Sequence, residues 1–165
     1  MIFKRLLLLF VFLLCFAIPV AAQEKYGTVY FYRGRDTFDW PQQMNVLNPD
    51  VDIHFDGHEF LKLSERSFIG FRIPAGAHTL WMTLKGKTTT QTLWVNAGRT
   101  YYVRISQEMY PIAYQTISQV NENIALESIR KYDALKLKNV KFNLFETIRE
   151  NPYKKNKKSL QPSTP

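Results

Sequence analysis

The sequence predicts a mainly β protein: a small antiparallel β-sandwich of the immunoglobulin-like kind, followed by a C-terminal helix. Three observations lead to this fold class. Short apolar segments with strand-like alternation recur roughly every ten residues, turn residues separate them, and aromatic residues, which favour strands, make up 15% of the chain. The chain has 165 residues, which is enough for one domain with a sizeable hydrophobic core.

The first 22 residues have the three parts of a secretory signal. Two basic residues precede the uninterrupted apolar run Leu6–Ile18, and Ala22 ends a short stretch of mostly small residues. We therefore expect export with cleavage after Ala22. An uncleaved N-terminal anchor is the alternative, although the run is shorter than the about 20 residues of a membrane span. Cys15 lies inside the run behind a leucine, without the small residue that a lipidation site needs, so we expect no lipid there.

Cysteine usage and charge narrow the function classes. Cys15 is the only cysteine, so a chain cleaved after Ala22 would have neither disulfides nor thiol chemistry. Residues 23–129 contain ten basic and eleven acidic residues, whereas residues 130–165 contain ten basic and three acidic ones. The export signal predicts a periplasmic or envelope-associated protein. Export also argues against a nucleic-acid partner. The basic C-terminal quarter of the chain would meet an anionic membrane surface or would serve only to keep the chain soluble.

The strands are predicted from alternation, which is clearest in Val51–Phe55, where apolar and polar side chains point to opposite faces. The predicted strands are Thr28–Arg33, Val51–Phe55, Glu59–Leu63, Phe68–Ile73, His78–Lys85, Thr88–Val95, Thr100–Ser106 and Ile112–Val120. Residues 34–49 form a long connection. Glycine marks the other main turns, at Asp56–Gly57, Pro74–Gly76, Gly86–Lys87 and Asn96–Gly98.

The hydrophobic period changes after the last of these strands. Asn121 is a candidate N-cap, and Ile124, Ala125 and Ile129 fall at helical spacing, so the sequence predicts a helix over 122–132. Phe142–Glu150 is a candidate second helix. The expected organisation is a signal at 1–22, a β-sandwich at 23–120, a helical extension at 121–150 and a basic disordered tail at 151–165.

The turn sequences resemble those of a known bacterial family. The Asp-Gly turn at Phe55–Gly57, the Pro-Ala-Gly-Ala-His segment within Ile73–Leu80 and the Asn-Ala-Gly-Arg-Thr segment within Asn96–Tyr102 have the order and spacing seen in the exported domain-of-unknown-function family 2846. That family in turn is similar to the PEGA module. The resemblance implies an exported, PEGA-like β-sandwich, often surface-associated or lipid-anchored, for which no catalytic residues are established.

Candidate chemical residues are few. One group could bind a divalent cation: Asp50, Asp52, His54, Asp56 and His58. Same-face residues of a strand are about 7 Å apart, however, so a solvated strand face is the alternative. His78 has no nucleophile or base motif beside it, and we interpret it as a packed or turn-bonded histidine. We therefore expect no enzyme activity, no cofactor and no metal.

The candidate interaction surface combines strand aromatics, a loop tryptophan and tail lysines. One apolar set on each strand must fill the core, while the other forms an exposed platform unless the helix packs over it through Ile124 and Ile129. Trp40 lies in the long 34–49 connection, as a recognition anchor or as a plug for the end of the sandwich. The full set is Tyr30, Tyr32, Trp40, Trp81, Trp94, Tyr102, Lys154, Lys155, Lys157 and Lys158.

These observations predict an exported, non-enzymatic β-sandwich that acts as an interaction or envelope-associated module, with an envelope protein as its partner. The alternative is a module that binds carbohydrate or peptidoglycan through the strand aromatics. A hydrolase is the least supported class, because the sequence shows no motif that combines a nucleophile with acid and base groups. The exposure of the three tryptophans discriminates, since buried indole rings would exclude a sugar platform.

Overall fold

The computed structural model describes residues 25–34, 50–84, 86–108, 114–136, 139–141 and 145–154. These residues are mainly β, with two packed sheets and a short helix after the eighth strand, so the predicted fold class is confirmed. The elements are β1 (Tyr26–Arg33), β2 (Val51–Phe55), β3 (His58–Leu63), β4 (Ser67–Pro74), β5 (Gly76–Leu84), β6 (Lys87–Val95), β7 (Thr100–Glu108), β8 (Tyr114–Val120), α1 (Glu122–Ile129), β9 (Asp133–Ala134) and β10 (Glu146–Ile148).

The strands are divided between two sheets. The first sheet has the order β10-β4-β1-β7-β8, with β9 also paired to β4, and the second has the order β3-β2-β5-β6. Most neighbours are antiparallel, but β1 and β7 run parallel, as do β4 and the two-residue strand β9. The β1–β7 pair is parallel because the chain leaves the first sheet after β4, builds β5 and β6 in the second sheet, and then returns beside β1.

The core between the sheets is rich in phenylalanine. A β-bulge in the β2–β3 pair brings both Phe60 and Leu61 into the interior, where each is fully buried. The Phe60 ring lies 5.9 Å from that of Phe31 and 4.6 Å from that of Phe71, between ring centroids. Burial of each such side chain contributes about 1.5–3 kcal/mol, so this cluster fixes the two sheets against each other.

The helix covers the other face of the first sheet. Asn121 occupies the N-cap position, where its backbone oxygen accepts from the Ala125 amide at 3.0 Å, but its side chain makes no cap bond. The helix ends at Ile129, three residues before the predicted end. Ala125 and Ile129 are buried against the sheet, so the first sheet has apolar contacts on both faces.

The predicted helical extension over 121–150 is wrong beyond Ile129. Glu146–Ile148, which falls inside the predicted second helix, is strand β10 and pairs antiparallel with β4. The outer edge of β4 supplies backbone partners for both β9 and β10, and Arg72 lies 3.6 Å from Glu146 across the β4–β10 pair. An available sheet edge therefore determines the conformation of this segment more strongly than its own helical period.

The predicted tail starts too early. The Asn151 side-chain amide donates to the Ile129 carbonyl at 3.2 Å, Pro152 is buried, and the Arg130 guanidinium lies 5.9 Å from the Tyr153 ring centroid. Residues 151–154 are thus packed on the end of α1. The predicted signal at 1–22, Cys15 and the remainder of the tail lie outside the described residues. Within the described ranges, no helix is long and apolar enough to cross a membrane.

Candidate functional site

The predicted aromatic surface divides between two faces of the molecule. On the first sheet, the helix-covered face consists of Tyr30, Tyr32, Phe68 and Tyr102, whose exposed fractions are 4%, 0%, 1% and 3%. These rings pack against Ala125 and Ile129 of α1. The three tyrosines therefore cannot contact a partner in the folded chain, which corrects their place in the predicted interaction surface.

The helix-covered face is held by ring stacking and one hydrogen bond. The rings of Tyr30 and Tyr102 are stacked with centroids 5.5 Å apart, and the Tyr102 hydroxyl donates to Oε1 of Glu122 at 3.2 Å. Burial raises the pKa of Tyr102, and the nearby Glu122 carboxylate raises it further. Burial also raises the pKa of Tyr30. Both phenols stay protonated at neutral pH, and their contacts fasten the helix to the sheet.

Gly70 is required beneath the Tyr30 ring. A Cβ atom at this position of β4 would lie 2.7 Å and 2.9 Å from ring atoms of Tyr30 and 3.1 Å from the Cβ of Ile148. The absent side chain lets the ring lie across the strand and stack on Tyr102. Sequence analysis did not single out Gly70, although a glycine in the middle of a strand often marks such a close approach.

The second sheet carries a different aromatic surface, which we call the threonine–tryptophan face. It is formed by outward side chains of β2, β5 and β6: His54, Thr79, Trp81, Thr83, Thr88, Thr90, Thr92 and Trp94. Trp94 is 68% exposed and Trp81 is partly exposed. The imidazole of His54 lies flat on the Trp81 indole, with centroids 3.6 Å apart and 9° between the planes.

The alternation of β5 and β6 produces this face. Leu80, Met82, Leu93 and Val95 point inward and are buried, so the residues between them point outward. Trp81 lies opposite Thr90, and Trp94 lies opposite Ala77, four residues before Trp81 on the same strand. The two indoles are therefore about 13 Å apart along the strands, from a rise of about 3.3 Å per residue. No ionisable side chain interrupts β6 between Thr88 and Val95.

A histidine–aspartate pair joins the two turns at one end of the second sheet. The Nδ1 atom of His78 lies 2.7 Å from Oδ2 of Asp56, and its Nε2 atom lies 2.9 Å from the Pro74 carbonyl oxygen. The other Asp56 oxygen accepts from the Thr79 amide at 2.8 Å. Both ring nitrogens of His78 are therefore within hydrogen-bond distance of an oxygen atom, one of a side chain and one of the backbone. The arrangement is a clasp between the β2–β3 and β4–β5 turns, and it agrees with the interpretation of His78 as turn-bonded.

Comparison of the chain with protein-family models, with curated proteins and with solved structures finds no match. The resemblance to domain-of-unknown-function family 2846 therefore stays a prediction.

Three side chains of the candidate cation-binding group make contacts with other residues. Asp52 lies 3.4 Å from the Lys62 ammonium, Asp56 bonds His78 and Thr79, and His54 stacks on Trp81. The Asp56 carboxylate thus holds the neighbouring strand β5 through His78 and Thr79. Among the described residues, no group of three or more histidine or acidic side chains is placed to hold a metal ion.

The other predicted surface residues are only partly placed. Lys154 is exposed at the end of the described chain. Trp40, Lys155, Lys157 and Lys158 lie outside the described residues. Of the predicted set, the structure therefore leaves Trp81 and Trp94 together on one exposed face, with Lys154 elsewhere, and it adds the outward threonines, which sequence analysis had not identified.

Proposed function

We propose that this chain is an exported, non-enzymatic binding module of the cell envelope, and that the threonine–tryptophan face is the surface it presents to its partner. The leading candidate partner is an envelope protein. The exposure of Trp94 carries this proposal, because a large indole held 68% in solvent costs free energy unless a partner covers it.

The arrangement around Trp94 distinguishes this face from scattered apolar residues, which are common on protein surfaces. A second indole, a stacked imidazole and a set of outward threonines lie on the same face of the sheet. Aromatic side chains give large contact areas at a low entropic cost, and hydroxyl groups cost less to desolvate than charged groups. The face is therefore suited to burial against an uncharged surface that offers hydrogen-bond partners.

The chemistry of the polar groups favours binding over catalysis. The Asp56–His78 pair is the arrangement that most resembles a catalytic dyad, but the Nε2 atom that would act as a base is engaged by the Pro74 carbonyl. The N-terminal signal pattern and the resemblance of the turns to an exported family support the location.

Retention on envelope fractions tests the proposal. We expect the parent chain to co-sediment with washed envelopes and the variant Trp94→Ser to lose at least about tenfold in retention, as for a central aromatic anchor. Ile124→Ser is the matched control, because Ile124 is 55% exposed on α1, at the other side of the molecule. Equal retention of the parent chain and Trp94→Ser would remove this face from the binding function.

A carbohydrate or peptidoglycan ligand is the second candidate, favoured by the same exposed indole. Sugar rings present an apolar face that stacks on aromatic rings, and threonine hydroxyls both donate and accept hydrogen bonds. Protein-free peptidoglycan that retains the parent chain but not Trp94→Ser would identify a glycan. Retention that disappears when the envelopes are treated with protease would identify a protein instead.

Contact of the basic C-terminal residues with an anionic membrane surface is a separate proposal. Because residues 151–154 pack on α1, the informative variant keeps them and replaces Lys155, Lys157 and Lys158 with glutamine. Unchanged sedimentation of this variant with anionic liposomes would exclude the tail as a membrane anchor.

A further inference from the structure

The free edge of β6 presents a regular series of backbone groups. β6 is the last strand of the second sheet and pairs with β5 alone among the described strands. The Thr79 carbonyl accepts from the Asp56 amide at 2.9 Å, and the Thr79 amide donates to the Asp56 carboxylate. The backbone groups of Thr79 thus point toward β2. Its partner Thr92 therefore belongs to a non-hydrogen-bonded pair, and the Thr92 amide and carbonyl point away from β5.

The same direction repeats along the strand. The β5–β6 register continues without a bulge from Gly76↔Val95 to Leu84↔Lys87. Every second residue of β6 therefore directs its amide and carbonyl to the free edge, and these residues are Thr88, Thr90, Thr92 and Trp94. A side-chain contact agrees with this assignment, because the Gln91 amide nitrogen lies 3.0 Å from the Thr92 carbonyl oxygen and covers it.

From this geometry we propose that β6 pairs antiparallel with β6 of a second copy of this chain, about a two-fold axis at Gln91. In this register Thr90 lies opposite Thr92 of the other copy, and Thr88 lies opposite Trp94. The four residues of each copy whose backbone groups point to the free edge then form four hydrogen-bonded pairs. Each pair exchanges two hydrogen bonds, which gives about eight in all. A shift of the axis to Thr90 or Thr92 leaves one of the four without a partner, so the Gln91 register makes the most bonds.

The side chains of β6 are compatible with self-pairing. No ionisable residue lies between Thr88 and Val95, and Lys87 falls opposite Val95 of the other copy, so like charges do not meet. Natural edge strands are usually protected by charge, proline or a bulge, and this nine-residue strand has only Lys87 at its start. A partner of different sequence would gain the backbone bonds but not this symmetric match, so a second copy is the favoured occupant.

The product is a continuous eight-stranded sheet with the order β3-β2-β5-β6-β6-β5-β2-β3. The side-chain amide of Gln91 must leave the Thr92 carbonyl oxygen when the second copy binds. The backbone amide of Thr90 in the other copy then donates to that oxygen instead. The threonine–tryptophan faces of the two copies become one surface, with each Trp94 beside the axis-related Thr88. This inference goes beyond the proposed binding function and does not depend on it.

Cysteine cross-linking tests the register. The two Gln91 residues form a non-hydrogen-bonded pair at the axis, where Cα atoms lie about 4.5 Å apart, within disulfide range. In the chain cleaved after Ala22, which lacks Cys15, Gln91→Cys should form a disulfide-linked dimer under mild oxidation. Thr83→Cys is the matched control, since Thr83 is exposed on β5 but does not reach the free edge. Equal cross-linking of the two variants would overturn the proposed register.

Charge exchange tests the pairing itself. In the variant Thr90→Lys with Thr92→Lys, the ammonium groups introduced in one copy would face those introduced in the other, so the dimer measured by sedimentation velocity should be weakened at least about tenfold. The variant Thr90→Glu with Thr92→Glu should behave alike, and an equimolar mixture of the two should recover the dimer. Recovery also shows that both variants are folded. A parent chain that stays monomeric at all concentrations, or a mixture that does not associate, would refute the proposal, whereas loss of envelope retention alone would concern only the proposed function.

Discussion

The outer faces of the two sheets have similar patterns of aromatic residues in the sequence but differ in solvent exposure. Both carry aromatic residues that alternate with a core-facing apolar set. On the first sheet, Tyr30 and Tyr102 are buried beneath α1, whereas on the second sheet Trp94 is largely exposed. The difference arises beyond β8, because the chain returns there to cover the first sheet and leaves the second one open. An aromatic stripe on a strand therefore becomes a second hydrophobic core where a helix covers it, and an exposed surface where no helix does.

The largest effect is expected when the packing of α1 on the first sheet is weakened. Ile129→Ala should destabilise the chain by about 2–5 kcal/mol, because Ile129 is fully buried against the first sheet. Ile124→Ala on the same helix is the control and should change the free energy of unfolding by less than about 0.5 kcal/mol, since Ile124 is 55% exposed. Urea denaturation of both variants measures the difference. Similar losses in the two variants would mean that α1 does not pack as described.

A second change tests the fit of the covered rings. Gly70→Ala should cost about 1–3 kcal/mol, because its Cβ would lie 2.7 Å from the Tyr30 ring in a packed layer. In the double variant with Tyr30→Leu the ring is gone, so the combined loss should be smaller than the sum of the single losses. Strictly additive losses would show that the close approach to Tyr30 is not the cause.

Alkaline titration should reveal the covered phenols. Burial raises the pKa of Tyr102 and of Tyr30 above the usual 10.0, so above about pH 10 the unfolded chain releases protons that the folded chain keeps. Below that pH these phenols leave the free energy of unfolding unchanged. Above it the free energy of unfolding falls, with a limiting slope of about 1.4 kcal/mol per pH unit for each phenol that stays protonated in the folded chain. Tyr102→Phe should reduce this slope by one such increment in urea titrations between pH 9 and 11. A variant with the parent slope would contradict the assignment.

The smallest effect is expected on the uncovered face. Trp94→Ser should change the free energy of unfolding by less than about 0.5 kcal/mol at protein concentrations low enough to avoid association. The red-shifted part of the tryptophan emission should decrease in the same variant, because Trp94 is 68% exposed. A loss of several kcal/mol would show that the face is packed, and the contrast between the two sheets would then fail.

Local sequence predicted most of the strands but not their surroundings. β1 to β8 were recognisable because alternation and turn residues are short-range signals: Asp56 and Gly57, for example, both adopt the positive φ, 47° and 84°, of a tight hairpin turn. β9 and β10 have only two and three residues, and each is a strand because β4 offers an edge. Such long-range pairing leaves no local pattern in the sequence.

The candidate site was predictable only in part for the same reason. Trp81 and Trp94 were identified as outward strand residues, but whether Tyr30, Tyr32 and Tyr102 were covered depended on where α1 lies. The bonding of Asp56 to His78 joins residues 22 positions apart, and the direction of the β6 backbone groups is set by pairing rather than by residue type.

The central place of β1 also determines the order in which the protein can form. β1 is the first strand in chain order, yet it lies between β4 and β7, and during synthesis both partners appear much later. Val29 to Tyr32 therefore emerge as an apolar segment that gains a partner on one edge when β4 is complete at Pro74, and on the other edge only when the chain reaches Ile105. Closing the long loop of the parallel pair is entropically slow. The nascent chain is thus most prone to aggregation before β7 is made, and a factor that shields the N-terminal strand would increase the folded yield.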